Sequence, residues 1–156
     1  MAGKVKTIPD GIPWITPYLS VTDGPAAIDY YCKVFGATEI YRLAEPSGRV
    51  VHAELKIGNS MIFLAGENPS WGNISPKTLG GTTVRICLAA ENVDEVWKRA
   101  IAAGGKGLIP PEDQFYGERS ARIEDPFGHQ WLVSTHIEDV TPEEMKRRME
   151  EMMKQK

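Results

Sequence analysis

Cysteine is scarce in this chain, which argues against a fold held by disulfides or by zinc. The 156 residues include two cysteines, Cys32 and Cys87, which lie far apart and belong to no CxxC pair or histidine-rich motif. A structural zinc site needs four closely spaced Cys or His ligands, and a disulfide framework needs several cysteines. We therefore expect two buried, free thiols.

Long runs of basic or apolar residues are also missing. The net charge is −3, and no basic run lies outside the C-terminal tail, so we expect no positive patch for nucleic acid. No apolar stretch approaches the length of a membrane span, and residues 1–11 lack the charged-then-apolar pattern of a signal peptide. The sequence thus predicts a cytoplasmic protein that has neither nucleic acid nor a membrane as a partner.

Residues 122–136 give the clearest structural signal, two strands joined by a tight turn. Asp125, Pro126 and Gly128 favour the turn, because Asp bonds its own backbone, Pro fixes φ and Gly accepts a positive φ. Apolar and polar residues alternate in both arms. One face of this hairpin should pack in a core, and the other should be polar.

Residues 12–66 are predicted to form a strand, a helix and three further strands. Asp23 stands at an N-cap position, and Gly36 ends an apolar pattern with helical spacing. The predicted strands cover residues 12–21, 37–43, 49–57 and 60–65. In the strand over 49–57, His52 and Glu54 are two residues apart, so both side chains should leave the same face.

The same order of elements returns in residues 81–136. The predicted elements are a strand over 81–89, a helix over 92–103, a strand over 106–109 and the hairpin. Asp23 precedes Gly36 by thirteen positions, as Glu91 precedes Gly104. We therefore predict an α+β fold of two βαβββ modules in tandem, whose non-helix faces form a shared cleft.

Two segments lie outside the modules. Residues 67–80 are rich in Gly, Pro, Ser and Asn without an apolar period, which indicates a linker or a lid loop. Residues 141–155 are predicted to form an amphipathic helix, because Thr141-Pro-Glu-Glu144 is a capping box. Its apolar stripe consists of Met145, Met149 and Met152. We expect the stripe to pack on its own module or on a second subunit.

Strand parity assigns a set of side chains to the non-helix faces. The set is Thr16, Tyr18, Ser20, His52, Glu54, Ile62, Arg85, Arg122, Glu124, Gln130 and Leu132. Tyr116 and Arg119 are added, because a loop with aromatic residues can close over a cleft. A structural salt bridge from Glu54 to Arg85 or Arg122 is the alternative to a ligand role for those side chains.

Several motifs carry a resemblance to a known family. They are Pro17-Tyr-Leu-Ser-Val-Thr-Asp23, Phe35-Gly-Ala37 and Asp125-Pro-Phe-Gly-His129. They resemble the vicinal oxygen chelate superfamily of glyoxalases, bleomycin-resistance proteins and ring-cleaving dioxygenases. Val51-His-Ala-Glu-Leu55, Phe115-Tyr-Gly-Glu-Arg119 and Thr141-Pro-Glu-Glu-Met145 are similar to its PhnB-like subgroup. The resemblance implies the tandem βαβββ fold, a ligand cleft and a homodimer.

Metal-dependent members of that superfamily have a His in the first strand and a Glu in the last strand of each module. The resemblance places these four positions on Thr16, on Arg85 or Val84, on Ile62 or Phe63, and on Leu132. None of these is a usual ligand of a catalytic divalent ion. We therefore expect no cofactor, with a relocated Zn, Ni, Mn or Fe site at His52 and Glu54 as the alternative.

Three functions compete for the predicted cleft. The first is binding of a small polar or aromatic molecule without chemistry, and we favour it. The residues expected to hold that ligand are Thr16, Tyr18, Arg85, Tyr116, Arg119, Arg122 and Glu124. The second is a lyase, isomerase or dioxygenase in which His52 is a general base oriented by Glu54. The third is a structural dimer whose polar side chains satisfy one another.

Overall fold

The computed structural model describes residues 6–154, which divide after Leu79 into two compact units. Each unit contains one module in the order strand, helix, strand, strand, strand. The prediction of an α+β fold with two βαβββ modules and a C-terminal helix is confirmed. None of the helices within residues 6–154 has the length and hydrophobicity needed to cross a bilayer.

The first module is a four-stranded mixed sheet with one helix on one face. Its elements are β1 (Tyr18–Val21), α1 (Gly24–Phe35), β2 (Thr38–Ala44), β3 (Val50–Ile57) and β4 (Ser60–Gly66). The strand order is β1-β4-β3-β2, with β1 parallel to β4 and the other pairs antiparallel. Leu19, Leu55 and Leu64 are buried on the face that α1 covers, so the module's core lies between sheet and helix.

Helix α1 begins and ends where the sequence predicts. The Ala26 N–H donates to the Asp23 carboxylate at 3.0 Å, which satisfies one of the free donors at the helix N-terminus. Gly36 has φ of 67°, the left-handed conformation that glycine adopts at helix C-termini. This helix fixes the direction of the module's core face, and with it the direction of the opposite face.

Strand β1 is shorter than predicted. It starts at Tyr18, and the predicted strand residues Trp14 and Ile15 are 89% and 86% exposed. The predicted strand over residues 12–21 is therefore wrong for its first six residues. Pro13 and Pro17 flank this segment and have no N–H to donate to a neighbouring strand, which accounts for the late start.

The second module repeats the architecture with different ends. Its elements are β5 (Arg85–Ala89), α3 (Val93–Ala102), β6 (Lys106–Asp113), β7 (Glu118–Glu124) and β8 (Gln130–His136). The strand order is β5-β8-β7-β6. Asn92, and not Glu91 at thirteen positions before Gly104, is the N-cap of α3, because its side chain accepts from the Glu95 N–H at 3.1 Å. Strand β6 does not end at Ile109 as predicted; it continues to Asp113, since an edge strand tolerates prolines.

The turn between β7 and β8 is organised by one buried carboxylate. Asp125 accepts hydrogen bonds from the N–H groups of Phe127 and His129 at 3.0 Å, and from the indole N–H of Trp131 at 2.9 Å. Asp125 is 3% exposed. The predicted role of Asp125 in its own turn is confirmed, and the bond to Trp131 also ties the turn to the core.

Ordered structure occupies both segments outside the modules. Residues 67–80 contain a short 3-10 helix (Pro69–Trp71) and α2 (Pro76–Leu79), and the Glu67 carboxylate accepts from the Ser75 N–H at 2.6 Å. Helix α4 (Pro142–Lys154) is capped by the Thr141 hydroxyl, which accepts from the Glu144 N–H at 3.2 Å. Residue 155, the predicted end of that helix, lies outside the described residues.

Candidate functional site

The face of the first module opposite α1 collects aromatic side chains around one histidine. Tyr18, Phe63, Glu54 and Tyr41 are in register across β1, β4, β3 and β2. His52 lies two residues from Glu54 on β3, and the shared face of His52 and Glu54 is the one that the sequence predicts. We call this group, Tyr18, Tyr41, His52, Glu54 and Phe63, the aromatic face.

The pairing of β3 with β4 corrects one of the side chains predicted for the non-helix face. Phe63 pairs with both Tyr18 and Glu54, whereas Ile62 pairs with Leu55 on the helix side and is 4% exposed. The prediction that Ile62 belongs to the non-helix face is therefore wrong. Phe63 occupies that place.

His52 forms two hydrogen bonds, one through each ring nitrogen. Its Nδ1 lies 2.9 Å from the Tyr18 hydroxyl, and its Nε2 lies 3.3 Å from Oε1 of Glu54. A carboxylate can only accept, so Nε2 carries a proton, and in the neutral ring Nδ1 accepts from the phenol. Tyr18, His52 and Glu54 thus form a continuous hydrogen-bonded chain.

Aromatic contacts hold this chain in place. The Phe63 ring stands edge-on to His52, with centroids 5.1 Å apart, and edge-on to Tyr18 at 6.0 Å. Tyr41 lies 6.3 Å from His52 on the other side. Tyr18 and Tyr41 are each 50% exposed, so part of both rings remains open to a ligand. Partial burial raises the pKa of the Tyr18 phenol.

Thr16, a predicted ligand-binding residue, precedes β1 by two positions. Its hydroxyl oxygen is buried and has no hydrogen-bond partner among the described residues. A buried hydroxyl without a partner loses solvation that no group of the described residues replaces. The ligand role of Thr16 stays a prediction.

The face of the second module opposite α3 is charged. Arg85, Gln130 and Glu124 are in register across β5, β8 and β7, and Leu132 and Arg122 form the next row. Within residues 80–154 of the described chain, no carboxylate lies within ion-pair distance of Arg85 or Arg122. The shared face of Arg85, Arg122, Glu124, Gln130 and Leu132 follows the predicted parity.

Tyr116 lies in a turn, as the predicted loop requires, but Arg119 differs from its predicted setting. Residues 114–117 are a tight turn, in which the Gly117 N–H donates to the Gln114 carbonyl at 3.1 Å. Arg119 lies in β7, where its guanidinium donates to Asp94 at 2.8 and 2.9 Å and to Asp113 at 2.8 Å. The predicted flexible loop over a cleft is therefore wrong for Arg119, whose contacts attach α3 to the sheet.

The two cysteines are free thiols, but they are not both buried. Cys32 is half-buried in α1, and Cys87 is exposed on β5. Cys87 pairs in register with Leu132, which puts it on the charged face. The prediction of two buried thiols is wrong for Cys87, because its strand places it opposite the helix.

A shallow pocket of about 430 Å³ lies at the N-terminus of α1, lined by residues 22–25, 47–49, Gly66 and Glu67. Its polar groups are already engaged. Arg49 donates to Glu45, Asp23 accepts from Ala26, and Glu67 accepts from Ser75. The pocket also has no aromatic side chain in its lining, which distinguishes it from the aromatic face.

The residues present do not fit a catalytic divalent ion. The four positions taken from the family resemblance hold Thr16, Phe63, Arg85 and Leu132, none a usual ligand. Among the described residues, no group of three or more His, Cys, Asp and Glu side chains converges as a metal site requires. His52 and Glu54 hydrogen-bond to each other, and two such groups are too few to hold the ion.

Comparisons with known proteins agree with this architecture. An uncharacterized protein of Mycobacterium bovis is 36% identical over 140 residues, covering 88% of this chain and 92% of the relative. Among solved structures, TioX from Micromonospora sp. ML1 has a TM-score of 0.63 and 26% identity, covering 79% of this chain and 98% of TioX. A Bacillus cereus structure described as a putative 3-demethylubiquinone-9 3-methyltransferase, PhnB protein, has a TM-score of 0.61 and 16% identity, covering 79% and 99%.

The family model that matches is the Glyoxalase/Bleomycin resistance protein/Dioxygenase superfamily, over residues 11–133. That match covers the first module and the second module as far as the middle of β8, and it leaves out α4. The chain therefore belongs to the Glyoxalase/Bleomycin resistance protein/Dioxygenase superfamily.

Proposed function

We propose that the chain binds a small molecule with an aromatic ring and a polar group on the aromatic face of its first module, without a metal. The observation that carries this proposal is the half-exposed pair of Tyr18 and Tyr41 around a fixed His52 and Glu54. Ligand sites in proteins combine apolar and aromatic surface with a few placed polar groups. The aromatic face has both.

Its polar groups are oriented before a ligand arrives. His52 is held by two hydrogen bonds and by the edge of the Phe63 ring, so little side-chain freedom is lost on binding. Holding a group in its bound orientation lowers the entropic cost of association. An aromatic ligand gains stacking contacts with Tyr18 and Tyr41.

The test is a ligand screen with matched pairs of aromatic and saturated compounds, such as phenol against cyclohexanol. Binding would be followed by two-dimensional NMR of the labelled protein. We expect the aromatic member of each pair to shift the signals of β1, β2, β3 and β4, and the saturated member to shift them less. Equal shifts from both members, or shifts confined to other elements, would contradict the proposal.

Tyr41→Ala is the matching variant, because Tyr41 is half-exposed on the edge strand β2 and contributes little to the core. We expect it to weaken binding by about 1 kcal/mol, the usual contribution of an aromatic pair. Ile109→Ala is the control, since Ile109 lies on the edge strand β6 of the second module, where it pairs with Arg122. It should leave the affinity unchanged.

The metal-free part of the proposal has a separate test. Elemental analysis of the purified protein should find no stoichiometric Zn, Ni, Mn or Fe, and the melting temperature should be the same in EDTA and in added metal. A ligand that binds only the folded state raises its stability. A bound metal, or a shift of several degrees, would favour the relocated site at His52 and Glu54.

A second candidate is an enzyme of the same superfamily, a lyase, isomerase or dioxygenase that uses His52 and Glu54. The hydrogen bond between His52 Nε2 and Glu54 favours it, because a carboxylate behind an imidazole orients the ring and strengthens it as a base. Turnover of a screened ligand that is lost in His52→Gln would distinguish catalysis from binding.

We further propose that the protein is a cytoplasmic homodimer. Trp14 and Ile15 are adjacent and almost fully exposed, and contiguous exposed apolar surface is typical of protein–protein contacts. Light scattering on the purified protein tests the assembly. Trp14→Ser combined with Ile15→Ser should shift a dimer towards monomer, and a monomeric wild-type protein would contradict the assignment.

A further inference from the structure

We propose that Tyr18 is the residue that exchanges a proton with the bound molecule, with His52 storing the proton and Glu54 as a positioning residue. The ligand class that this chemistry suits is a compound with an acidic hydroxyl, a phenol or an enol. The inference rests on the proposed binding to the aromatic face. It assigns the step to the phenol rather than to the imidazole.

Geometry separates the roles of Tyr18 and His52. Both nitrogens of His52 are engaged, Nδ1 with the Tyr18 hydroxyl at 2.9 Å and Nε2 with Glu54 at 3.3 Å. The imidazole can reach a ligand only after one of these bonds breaks. The Tyr18 oxygen keeps a free lone pair, and its side chain is 50% exposed. A ligand on this face therefore meets the phenol first.

The neighbouring side chains do not interrupt the hydrogen bonds that join Tyr18, His52 and Glu54. Phe63 stands edge-on to both Tyr18 and His52 and offers no hydrogen bond. Tyr41 and Lys56 are the other titratable groups that β2 and β3 bring to this face, and neither hydrogen-bonds to His52. Glu54 is the one carboxylate bonded to the ring in the described residues. It can stabilise the imidazolium that forms when His52 takes a proton.

The proposed transfer balances without a cofactor. The phenol proton of Tyr18 moves to Nδ1 of His52, and the phenolate oxygen takes the proton of the ligand's hydroxyl. The ligand is left as an anion, Tyr18 is neutral again, and His52 is an imidazolium beside Glu54. Partial burial raises the pKa of the Tyr18 phenol, so without His52 the phenol would keep its proton. The reverse sequence returns the proton to the ligand.

The experiment uses 4-nitrophenol, which absorbs visible light as the anion and not as the neutral phenol. In the wild-type protein we expect the bound probe to ionise about one pH unit below its value in solution, which is a tenfold change in ionisation. In Tyr18→Phe and His52→Gln, the fraction of the probe that binds should ionise as it does in solution. Ser60→Ala removes an exposed hydroxyl from the same sheet, outside the aromatic face, and should behave as wild type.

Nitrogen NMR of the histidine side chains tests the chain without any ligand. His52 should carry its proton on Nε2, and Tyr18→Phe should move the Nδ1 signal towards that of a nitrogen without a hydrogen bond. A proton on Nδ1 in the neutral ring, or no response to Tyr18→Phe, would overturn the relay. A probe that binds but ionises equally in wild type and Tyr18→Phe would overturn the assignment and leave the binding proposal standing. A probe that binds neither the wild-type protein nor any variant would overturn both the relay and the binding proposal, even if the histidine signals were as expected.

Discussion

The two modules place different chemistry on the same backbone rows. Tyr18 precedes the N-cap of α1 by five residues, and Cys87 precedes the N-cap of α3 by five. We align the two modules on these N-caps and follow the strand pairing outwards. One row then consists of Tyr18, Phe63, Glu54 and Tyr41, and the equivalent row consists of Cys87, Leu132, Arg122 and Ile109. The first row is aromatic with a carboxylate, and the second is aliphatic with a guanidinium.

The difference shows how an internal repeat can diverge in function while its fold is kept. Burial on the helix side is similar in both modules, since Leu55 and Leu64 correspond to Ile123 and Val133 as core residues. The opposite faces are free to vary because they contribute less to the core. The first face therefore presents a hydrogen-bonded acid–base pair, whereas the second presents Arg85 and Arg122, which have no carboxylate of residues 80–154 within ion-pair distance.

The largest expected difference in stability is between the turn of the β7–β8 hairpin and the turn of the β3–β4 hairpin. Asp125→Ala removes three hydrogen bonds from a buried carboxylate and leaves donors unpaired, so the free energy of unfolding should fall by about 3 kcal/mol. Asn59→Ala changes the exposed two-residue turn between β3 and β4 and should cost less than about 0.5 kcal/mol. Urea denaturation measures both. Equal losses would show that the two turns are equally important.

A second contrast compares two turn glycines, Gly48 and Gly117, in the β2–β3 and β6–β7 hairpins. Both have positive φ, 88° and 86°, so alanine is strained at either site by about 1 kcal/mol. A Cβ at Gly48 meets no atom within 4 Å, whereas one at Gly117 would lie 2.2 Å from the Glu138 carbonyl oxygen. Gly117→Ala should therefore cost about 2 kcal/mol more, as judged by thermal unfolding. A similar loss at both sites would mean that the segment after β8 moves aside freely.

The order of elements and the direction of each face followed from sequence, because apolar periodicity and capping residues report local structure. Asp23, Gly36 and Asp125 act where predicted. The ends of the strands were not predicted correctly. Strand β1 starts later than predicted, after Pro17, and β6 continues beyond Pro110 and Pro111. Those outcomes depend on which edge of a strand has a neighbour, and periodicity carries no information on that.

Tyr41 was missed as a member of the site, and Phe63 was named only as the alternative to Ile62, although the sequence contained a signal that favours Phe63. Gly58 and Asn59 form a two-residue turn, so Ile57 pairs with Ser60, and counting outwards places Phe63 opposite Glu54. The bond between Tyr18 and His52 could not be counted in this way. It joins side chains on strands that are separated by β4, and it depends on rotamers that no sequence pattern specifies.

A third contrast concerns ligand charge. The aromatic face carries Glu54 and Lys56, and the second face carries Arg85, Arg122 and Glu124, so the second face has the more positive charge. Benzoate should therefore shift NMR signals of β5, β7 and β8 more than those of β1 to β4, and benzylamine should show the reverse order. The preference should be modest, a few-fold in affinity, because exposed ion pairs contribute up to about 1 kcal/mol. Arg122→Gln should weaken benzoate binding and leave benzylamine unchanged. Both ligands on one face would contradict the division of charge.

The smallest expected effect concerns the two bridging histidines, His52 and His136. His52 lies between a phenol and a carboxylate, whereas His136 lies between two carboxylates, with Nδ1 3.0 Å from Glu118 and Nε2 2.8 Å from Asp139. Hydrogen bonds from Asp139 and then Glu118 raise the pKa of His136 above its ordinary value. A neutral imidazole has one N–H, so only the protonated ring can donate to both carboxylates.

Because the pKa of His136 is raised in the folded state, the direction in which its stabilisation changes with pH is fixed. The stabilisation from His136 is present in full below its unfolded pKa, about 6.5, and is lost as pH rises through the higher folded value. The difference in melting temperature between wild type and His136→Gln should therefore be larger at about pH 5.5 than at pH 9. It should be small, because His136 is exposed and solvent screens its ion pairs. Asp139→Asn should remove most of the pH dependence, since Asp139 is the first of the two causes. A difference that grows with pH would show that His136 stabilises the fold as the neutral ring.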